Sequence, residues 1–353
     1  MSLRDHLLAR IASDGPMSLA DFMAEALLHP TMGYYTTRDP LGAAGDFTTA
    51  PEISQMFGEL LGLCLAQAWL DQGAPTPFTL AEPGPGRGTL MADALRATRT
   101  VPGFHAAMRV HLIEASPALR ARQIAALDGI GITHHDRIET LPEAPLFLVA
   151  NEFFDALPIR QYQRTATGWA ERLIGARNGA LALGLGADAE QPALAHRMAD
   201  TRPGDIVEHC PGAAPAAQEI GRRIAQHGGA ALIVDYGDWR SLGDTLQALR
   251  GHERVDPLDA PGTADLTAHV DFEVLAQASA PAAHTRLTPQ GVFLERLGIT
   301  QRAQSLAKGL TGAALETHVA AHRRLTHPEE MGSLFKVLGL YPAGSTPPPG
   351  LEP

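Results

Sequence analysis

The chain contains 353 residues, of which 45% are hydrophobic and 19% are charged, and its formal net charge at pH 7 is -11. This length is sufficient for one large core and a substantial second lobe. The acidic balance argues against a general nucleic-acid binder, because neutralising phosphates requires a basic face. The two cysteines, Cys64 and Cys210, form neither a disulfide framework nor a C-x-x-C pair, which favours a reducing compartment. We expect no targeting peptide and no membrane span, because the N-terminal residues include several carboxylates and no apolar run is long enough.

The N-terminal part of the chain predicts helices. Residues 3–12 and 18–28 repeat apolar side chains at helical spacing, and an irregular stretch, 29–50, follows them. Loops of this length in compact proteins are usually functional or disordered. We therefore expect residues 1–76 to form an N-terminal helical lobe that carries a lid loop.

From residue 77 onward, apolar strands alternate with helices. The predicted strands of this region are 78–81, 109–113, 146–150 and 230–234. Such alternation implies an α/β fold with a mostly parallel sheet that helices cover on both faces. An insertion at about 159–228 interrupts the alternation, and its alternating segments, separated by turns, predict an antiparallel β meander. We expect this second domain to extend over 77–343.

The C-terminal part is expected to return to helices, including one over 328–338. His318 and His322 lie four residues apart and could bind a metal if a third ligand converged, but there is no H-E-x-x-H motif and no cysteine nearby, so we expect a solvated helix face. The tail, 344–353, contains three consecutive prolines among small residues, and this composition predicts disorder.

Residues 79–88, TLAEPGPGRG, carry the most informative pattern of the chain. A short apolar strand reaches Glu82, and Gly84, Gly86 and Gly88 follow at alternate positions before a helix begins. Glycines let the backbone turn tightly and approach a ligand closely, and the helix N-terminus faces the same crevice. The spacing differs from the G-x-G-x-x-G of dinucleotide-binding proteins. It is the spacing of the first motif of class I S-adenosylmethionine methyltransferases, whose cofactor carries an ammonium group suited to Glu82; a plain glycine turn is the alternative.

Polar residues also follow the next two predicted strands. Glu114 ends the second strand, where a carboxylate in such sheets binds the ribose hydroxyls of an adenosine moiety; an ordinary exposed Glu is the alternative. Asn151 follows the third strand and opens the loop NEFFDALP. In that loop Glu152 and Asp155 can hold and neutralise a guanidinium or an amine. The alternative is a capped loop in which these polar groups bond local backbone.

The segment 45–53 joins the irregular stretch to the next helix. Thr49 and Glu52 form a capping-box pattern, which explains both residues. Small and hydroxylic residues before a helix N-terminus can also bind a carboxylate. Capping does not explain Asp46 and Thr48, and we interpret these two as candidate cofactor-binding residues.

Six segments combine these motifs in a fixed order along almost the whole chain. They are GDFTTAPEISQ (45–55), GPGRGTLM (84–91), NEFFDALP (151–158), DYG (235–237), HVDF (269–272) and MGSLFKVL (331–338). Together they resemble the MidA-type methyltransferases, a family that includes a mitochondrial complex I assembly factor that methylates an arginine. Two departures stand out: Pro83 replaces a bulky apolar residue, and Val292 stands where an acid is common, which leaves 288–294 without an assigned role.

The resemblance implies a class I, Rossmann-like methyltransferase fold with S-adenosyl-L-methionine as donor and S-adenosyl-L-homocysteine as product. It also implies symmetric dimethylation of an arginine on a respiratory complex I subunit during assembly. Carried over by position, Glu82, the three glycines and Glu114 would hold the cofactor, and Asn151, Glu152 and Asp155 would face the acceptor. The implied location is the bacterial cytoplasm, or the mitochondrial matrix for eukaryotic relatives. A homodimer is one possible oligomeric state.

Three other functions compete with this interpretation. A small-molecule O- or N-methyltransferase could use the same fold, because a fold does not determine the acceptor. A complex I assembly chaperone could retain a vestigial cofactor site. A dinucleotide oxidoreductase is disfavoured by the spacing of the glycines.

Overall fold

The computed structural model describes residues 2–37 and 48–353, and these residues divide into two compact units. The larger unit contains Thr48–Phe154, Ala214–Trp239 and Phe272–Pro353. The smaller unit contains the described residues up to 37 together with Asp155–Ala213 and Arg240–Asp271. The units therefore divide near residue 48, and not at the domain boundary expected after residue 76.

A mostly parallel sheet forms the centre of the larger unit. Its principal strands are β1 (Phe78–Pro83), β2 (Met108–Ile113), β3 (Ile132–His135), β4 (Leu146–Asn151), β5 (Gly229–Asp238) and β6 (Phe335–Tyr341). They lie in the spatial order β6-β5-β4-β1-β2-β3; neighbours among β1 to β5 run parallel, and β6 runs antiparallel to β5. The short strands Ala283–His284 and Thr288–Pro289 pair with β6. The predicted α/β fold with a mostly parallel sheet is confirmed.

Helices precede β1, separate most of the successive strands of the larger unit, and follow one another as a group before β6. They are Ala50–Ile53, Gln55–Asp71, Thr89–Thr98, Phe104–Ala107, Pro117–Ala126, Ala213–His227, Phe272–Ala278, Gln290–Arg296, Ile299–Ala307, Gly312–Thr326 and Met331–Leu334, with a 3-10 turn at Ile138–Thr140. Within the described ranges, no helix combines the length and the apolarity that crossing a bilayer requires.

The longest of these helices, Gln55–Asp71, packs very closely on Thr89–Thr98. A Cβ atom at Gly62 would lie 2.6 Å from the Cα of Ala94, so only glycine permits this approach. The helix begins at Ser54, whose side chain accepts a hydrogen bond from the Met56 amide at 3.2 Å. The helix after the glycine turn is therefore held firmly against the core.

The expected capping box at Thr49 is wrong. Thr49 precedes the short helix Ala50–Ile53 but makes no capping hydrogen bond through its side chain. The chain is extended at Ser54, with φ of -160°, so the long helix starts there. The carboxylate of Glu52 bonds elsewhere and accepts a hydrogen bond from the Thr89 hydroxyl at 2.5 Å.

The smaller unit combines helices with antiparallel strands. Its helices are Leu3–Asp14, Leu19–Leu28 and Tyr34–Thr37, with a 3-10 turn at Pro192–Met198. One sheet has the order Met17–Ser18, Trp169–Arg177, Arg160–Arg164, Ile206–His209, with Ala180–Ala189 paired to Trp169–Arg177. A second sheet has the order Glu253–Val255, Gln247–Arg250, Asp265–Thr267, and Val270–Asp271 is a further short strand. The insertion thus contains the antiparallel meander that its alternating pattern predicts.

The helix expected over 328–338 is wrong for most of its length. Only Met331–Leu334 is helical, and β6 begins at Phe335. Val337 and Leu340 in β6 are fully buried and pair with β5 across an antiparallel ladder. The dense apolar run is compatible with either structure, and pairing with a distant strand decides between them.

The tail expected to be disordered is instead packed. Leu351 is only 7% exposed and belongs to the main core of the larger unit. The carbonyl of Pro349 accepts a hydrogen bond from the Cys64 thiol at 3.4 Å, and the carbonyl of Glu352 accepts one from the Arg286 amide at 2.8 Å. The burial of Leu351 and the hydrogen bonds of these two carbonyls hold the tail in place, although the rest of the tail has few hydrophobic residues.

We expect Leu351→Ala to destabilise the protein by about 2–3 kcal/mol, because it leaves a cavity in a packed core. The free energy of unfolding is measured by chemical denaturation, from the transition in which the larger unit unfolds. Leu334→Ala is the matched control, since that side chain is 47% exposed and its loss should change stability by less than about 0.5 kcal/mol. Equal stability of Leu351→Ala and the wild type would mean that the tail is not part of the core.

Candidate active site

The turn after β1 is shaped by three glycines. Gly84, Gly86 and Gly88 have φ angles of 62°, 54° and 84°, a region that side-chain-bearing residues rarely adopt. The amide of Gly84 donates to the carbonyl of Ile113 at 2.9 Å, which ties the turn to the end of β2. Gly88 is the N-cap of Thr89–Thr98 and offers no side chain to its amides. Backbone donors at this helix N-terminus are therefore open to a ligand.

Strand register brings the polar residues at the strand ends to one face. β1 and β2 run parallel with Glu82 opposite Leu112, so Glu114, two residues further on, belongs to the same face as Glu82. The register of β1 with β4 extends this alternation to Asn151. Glu82, Glu114 and Asn151 thus lie at the carboxyl edge of neighbouring parallel strands, where ligands of open α/β sheets bind.

Two acceptor atoms at this edge are buried without a partner. Among the described residues, neither Oε2 of Glu82 nor Oδ1 of Asn151 has a hydrogen-bond partner. Glu82 is 3% exposed, and burial raises the pKa of its carboxyl to about 8. Unpaired buried acceptors are unfavourable, and a positively charged donor such as an ammonium group would satisfy the Glu82 oxygen.

Glu114 is held by a network that centres on Gln123. Oε1 of Glu114 accepts from the Ser116 amide at 2.7 Å, and Oε2 accepts from Nε2 of Gln123 at 3.2 Å. The same Nε2 donates to the carbonyl of Gly86 at 2.8 Å, and Oε1 of Gln123 lies 2.8 Å from Nε2 of His134. Burial raises the pKa of Glu114, and these hydrogen bonds oppose that shift. Fully buried Gln123 therefore joins the glycine turn to the carboxylate at the end of β2.

Gln123 is a site residue that the sequence did not reveal. It lies within the helix Pro117–Ala126, and a single glutamine in a helical pattern carries no signal for a binding site. Its importance depends on two contacts with residues 9 and 37 positions away in the chain.

Glu152 has a strained backbone and a bonded carboxylate. Its φ of 49° is unusual for a residue with a side chain. Oε1 accepts from the amide of Ala50 and from Nδ2 of Asn151, both at 3.1 Å. The amide of Glu152 donates to the carbonyl of Val234 at 2.9 Å, which fixes the turn beside β5. These partners of the carboxylate are a backbone amide far away in the chain and a neighbouring side chain, and not the local backbone of a capped loop.

The two phenylalanines that follow have different environments. A Cβ atom at Gly84 would lie 3.1 Å from Phe153, so the loop after β4 packs directly on the glycine turn. Phe154 is buried, and its amide donates to Oδ2 of Asp235 at 3.0 Å. Asp235, at the end of β5, thus holds the loop that begins with Asn151.

Thr48 is half-buried and precedes the helix Ala50–Ile53 in the larger unit. Asp46, the other candidate of this segment, lies outside the described residues. The neighbouring Glu52 bonds Thr89 at the start of the helix after the glycine turn. The segment that begins at Thr48 is thereby linked to the same helix N-terminus.

Asp155 belongs to the smaller unit, unlike the other predicted site residues that the structure describes. Its side chain is buried, and its carbonyl accepts from the amide of Ala268 at 3.0 Å. The hydroxyl of Tyr35 donates to Asp265 at 2.7 Å, and burial, with the charges of Asp265 and Asp155, raises the pKa of Tyr35 well above its ordinary value. Asp155 and Asp265 therefore both place negative charge near the hydroxyl of Tyr35.

A family model for S-adenosyl-L-methionine-dependent methyltransferases matches residues 60–290, more than half of the chain. The chain belongs to this methyltransferase family. The mouse protein arginine methyltransferase NDUFAF7, named as mitochondrial, is 38% identical over 96% of this chain and 84% of its own. The zebrafish protein of the same name is 36% identical over 95% of this chain and 86% of its own.

Solved structures agree with this assignment. A protein from Burkholderia thailandensis crystallised with S-adenosyl-homocysteine is 30% identical to this methyltransferase, and the TM-score is 0.83 over 96% of this chain and 91% of that chain. A native crystal structure from the same organism is 29% identical, with a TM-score of 0.79 over 96% and 91% of the two chains. The class I methyltransferase fold and the cofactor S-adenosyl-L-methionine are confirmed. The buried acceptors and the glycine turn described above suit that cofactor.

We expect Glu82→Gln to stabilise the cofactor-free protein while weakening its affinity for S-adenosyl-homocysteine. In the folded wild type, burial raises the pKa of the Glu82 carboxyl to about 8, whereas in the unfolded chain this carboxyl has its ordinary pKa of 4.5. The wild type therefore loses stability as the pH rises between these values, and the amide variant escapes that loss.

Melting temperatures from about pH 5 to pH 8 test the first effect, and calorimetry tests the second, with a loss of at least about tenfold expected. Glu329→Gln, an exposed control, should change neither quantity. Parallel pH curves for Glu82→Gln and the wild type would contradict the burial of an unpaired carboxyl.

We expect Gln123→Leu to weaken S-adenosyl-homocysteine binding by at least about tenfold, because it removes the donor that holds Glu114 and the Gly86 carbonyl. Ile124→Ala, on the same helix and 57% exposed, is the control. The two variants are compared by calorimetry after circular dichroism has shown them to be folded. Unchanged affinity in Gln123→Leu would show that Glu114 needs no such support.

Proposed function

We propose that this methyltransferase transfers a methyl group to an arginine side chain of a protein. The observation that carries the proposal is the 36–38% identity, over 95–96% of the chain, with relatives named protein arginine methyltransferases. Identity of this extent covers both units and not only the cofactor-binding sheet. The loop after β4, which is proposed to face the methyl acceptor, adds a chemical reason for an arginine substrate, since it carries two carboxylates.

Glu82, Glu114 and the three glycines form the cofactor side of the proposed site. Among the described residues, Oε2 of Glu82 is an unpaired acceptor for the ammonium group of the methionine tail. Asn151 stays on the acceptor side of the proposal, where its Nδ2 donates to Glu152. Glu114 offers a carboxylate for the ribose hydroxyls, oriented by Gln123. Thr48 lies in a segment linked to the same helix N-terminus, and Asp46 stays a candidate from the sequence alone.

Glu152 is the proposed acceptor-side carboxylate. A carboxylate binds a planar guanidinium through two hydrogen bonds, which orients one nitrogen and excludes other geometries. The strained backbone at Glu152 and its bonds to Ala50 and Asn151 preorganise the carboxylate. Asp155, which belongs to the smaller unit, stays a candidate from the sequence and the family resemblance alone.

When bound, S-adenosyl-L-methionine supplies an activated methyl group on a sulfonium. The guanidinium nitrogen that takes the methyl group must lose one proton, which the Glu152 carboxylate would accept and pass to water. The chain's own residues otherwise position the acceptor and balance its charge. Glu152 would align the guanidinium and stabilise its positive charge. Its hydrogen bond from Ala50 limits the rotation of the carboxylate and so preserves that alignment.

The finer parts of the proposal come from the family resemblance. They are a respiratory complex I subunit as the substrate, symmetric dimethylation, a cytoplasmic location in a bacterium and a homodimeric state. The mouse and zebrafish relatives are named as mitochondrial. Incubating labelled donor with extract from cells that lack this protein, and identifying the labelled polypeptide, tests the substrate directly.

We expect Glu152→Gln to retain S-adenosyl-homocysteine binding and to lose most methyl transfer. The amide oxygen can still accept from Ala50, so the variant removes the charge while the local hydrogen bond persists. Transfer is measured at saturating donor with an arginine peptide derived from the identified substrate, and Glu329→Gln is the surface control. A peptide with lysine in place of the arginine should stay unmodified, because ammonium lacks the planar two-point contact.

Other outcomes identify the competing functions. Full transfer in Glu152→Gln would remove this loop from the mechanism, and weakened cofactor binding would move Glu152 to the donor side. Labelling of a small molecule but no polypeptide would favour a small-molecule methyltransferase. Cofactor binding with no labelled product of either kind would favour an assembly chaperone.

A further inference from the structure

Three metal-ligating side chains converge in the smaller unit, outside the proposed active site. They are His6 in the helix Leu3–Asp14, Glu25 in the helix Leu19–Leu28, and His29, the C-cap of that helix. One ligand atom from each lies within 4.8 Å of the other two. The rings of His6 and His29 are 5.5 Å apart between centroids and inclined at 72°, so the imidazoles meet edge to face.

The local geometry favours coordination over chance proximity. Glu25 and His29 are four residues apart at a helix end, which places them on the same face. His6 reaches that face from a separate helix, so the three ligands come from two elements. Two imidazoles and one carboxylate are the donor set that suits zinc, with water in the remaining position. We propose that His6, Glu25 and His29 bind one Zn²⁺ ion.

The surrounding contacts are compatible with an ion. Nη1 of Arg10 lies 3.2 Å from Oε1 of Glu25 and would act as an outer-shell partner that orients the carboxylate. The amide of Thr31 donates to Nδ1 of His29 at 3.3 Å, a long hydrogen bond. Zinc binding at His29 would displace this bond, because Nδ1 would carry either the metal or a proton. A strong coordinate bond would replace a weak contact.

Bound zinc would fasten one helix to the end of the next. His29 is also a backbone anchor for the segment that follows, since its carbonyl accepts from the amide of Gly33 at 2.8 Å and from the hydroxyl of Thr36 at 2.7 Å. This segment leads into the helix Tyr34–Thr37. The ion would therefore stabilise the N-terminal part of the smaller unit, a role independent of methyl transfer.

The test uses the full chain without a histidine tag, after treatment with a chelator that is then removed. Zn²⁺ is titrated in competition with a chromophoric zinc indicator, and one ion per chain is expected. His6→Gln and His29→Gln should each lose at least tenfold in affinity. The double variant His318→Gln/His322→Gln, which removes two histidines that lie four residues apart on another helix, should bind as the wild type does.

Two further readouts make the outcome decisive. Zn²⁺ should raise the melting temperature of the wild type by mass action but not that of His6→Gln. Co²⁺ in place of Zn²⁺ should give visible absorption bands that are absent from His29→Gln. The proposal would be overturned if the wild type bound less than one zinc ion per chain. It would also be overturned if both single variants bound zinc as tightly as the wild type does.

Discussion

The parallel pairing of β1 with β2 and β4 is the constraint on which the site depends. Because paired residues of parallel strands face the same way, this register sends Glu82, Glu114 and Asn151 to a single face at the carboxyl edge. The same face carries apolar residues of the main core a few positions earlier in each strand. Any slip by one residue would turn the polar groups to the opposite face.

The burial of Glu82 lowers the stability of the cofactor-free protein at the carboxyl edge of the sheet, where the cofactor is proposed to bind. A carboxyl with a pKa of about 8 and an unpaired oxygen is unfavourable in the cofactor-free fold. Behind this edge, Gly62 lets the backbone of Gln55–Asp71 pack closely against that of Thr89–Thr98. The closely packed helix Thr89–Thr98, which follows the glycine turn, holds the backbone N–H groups at its N-terminus in place, so these donors are oriented before a ligand binds.

The loop after β4 links the site to several parts of the larger unit. Phe153 packs on the glycine turn, Asp235 holds the amide of Phe154, and Glu152 bonds the amide of Ala50. Displacing any one of these contacts would therefore affect the others. The smaller unit has its own core and its own polar clusters, including the Tyr35–Asp265 pair and the histidines near residue 29.

Much of the site could be predicted because its signals are local. An apolar run followed by an acid and alternate glycines specifies a strand, a tight turn and a helix within ten residues, and Gly84, Gly86 and Gly88 indeed have positive φ angles. The alternation of strands and helices likewise determined the fold class. The relatives and the solved structures confirm the methyltransferase family that the motifs indicated.

Other features depended on pairing between distant residues, which one sequence does not display. β6 is a strand because β5 lies beside it, and the tail is ordered because Leu351 finds a pocket in the core. Gln123 becomes a site residue only when the fold brings Gly86 and Glu114 to its amide. The sequence by itself determined the fold class and the glycine turn after the first strand, whereas the tertiary structure decided which buried polar groups are paired, because hydrogen bonds form between atoms brought together in space.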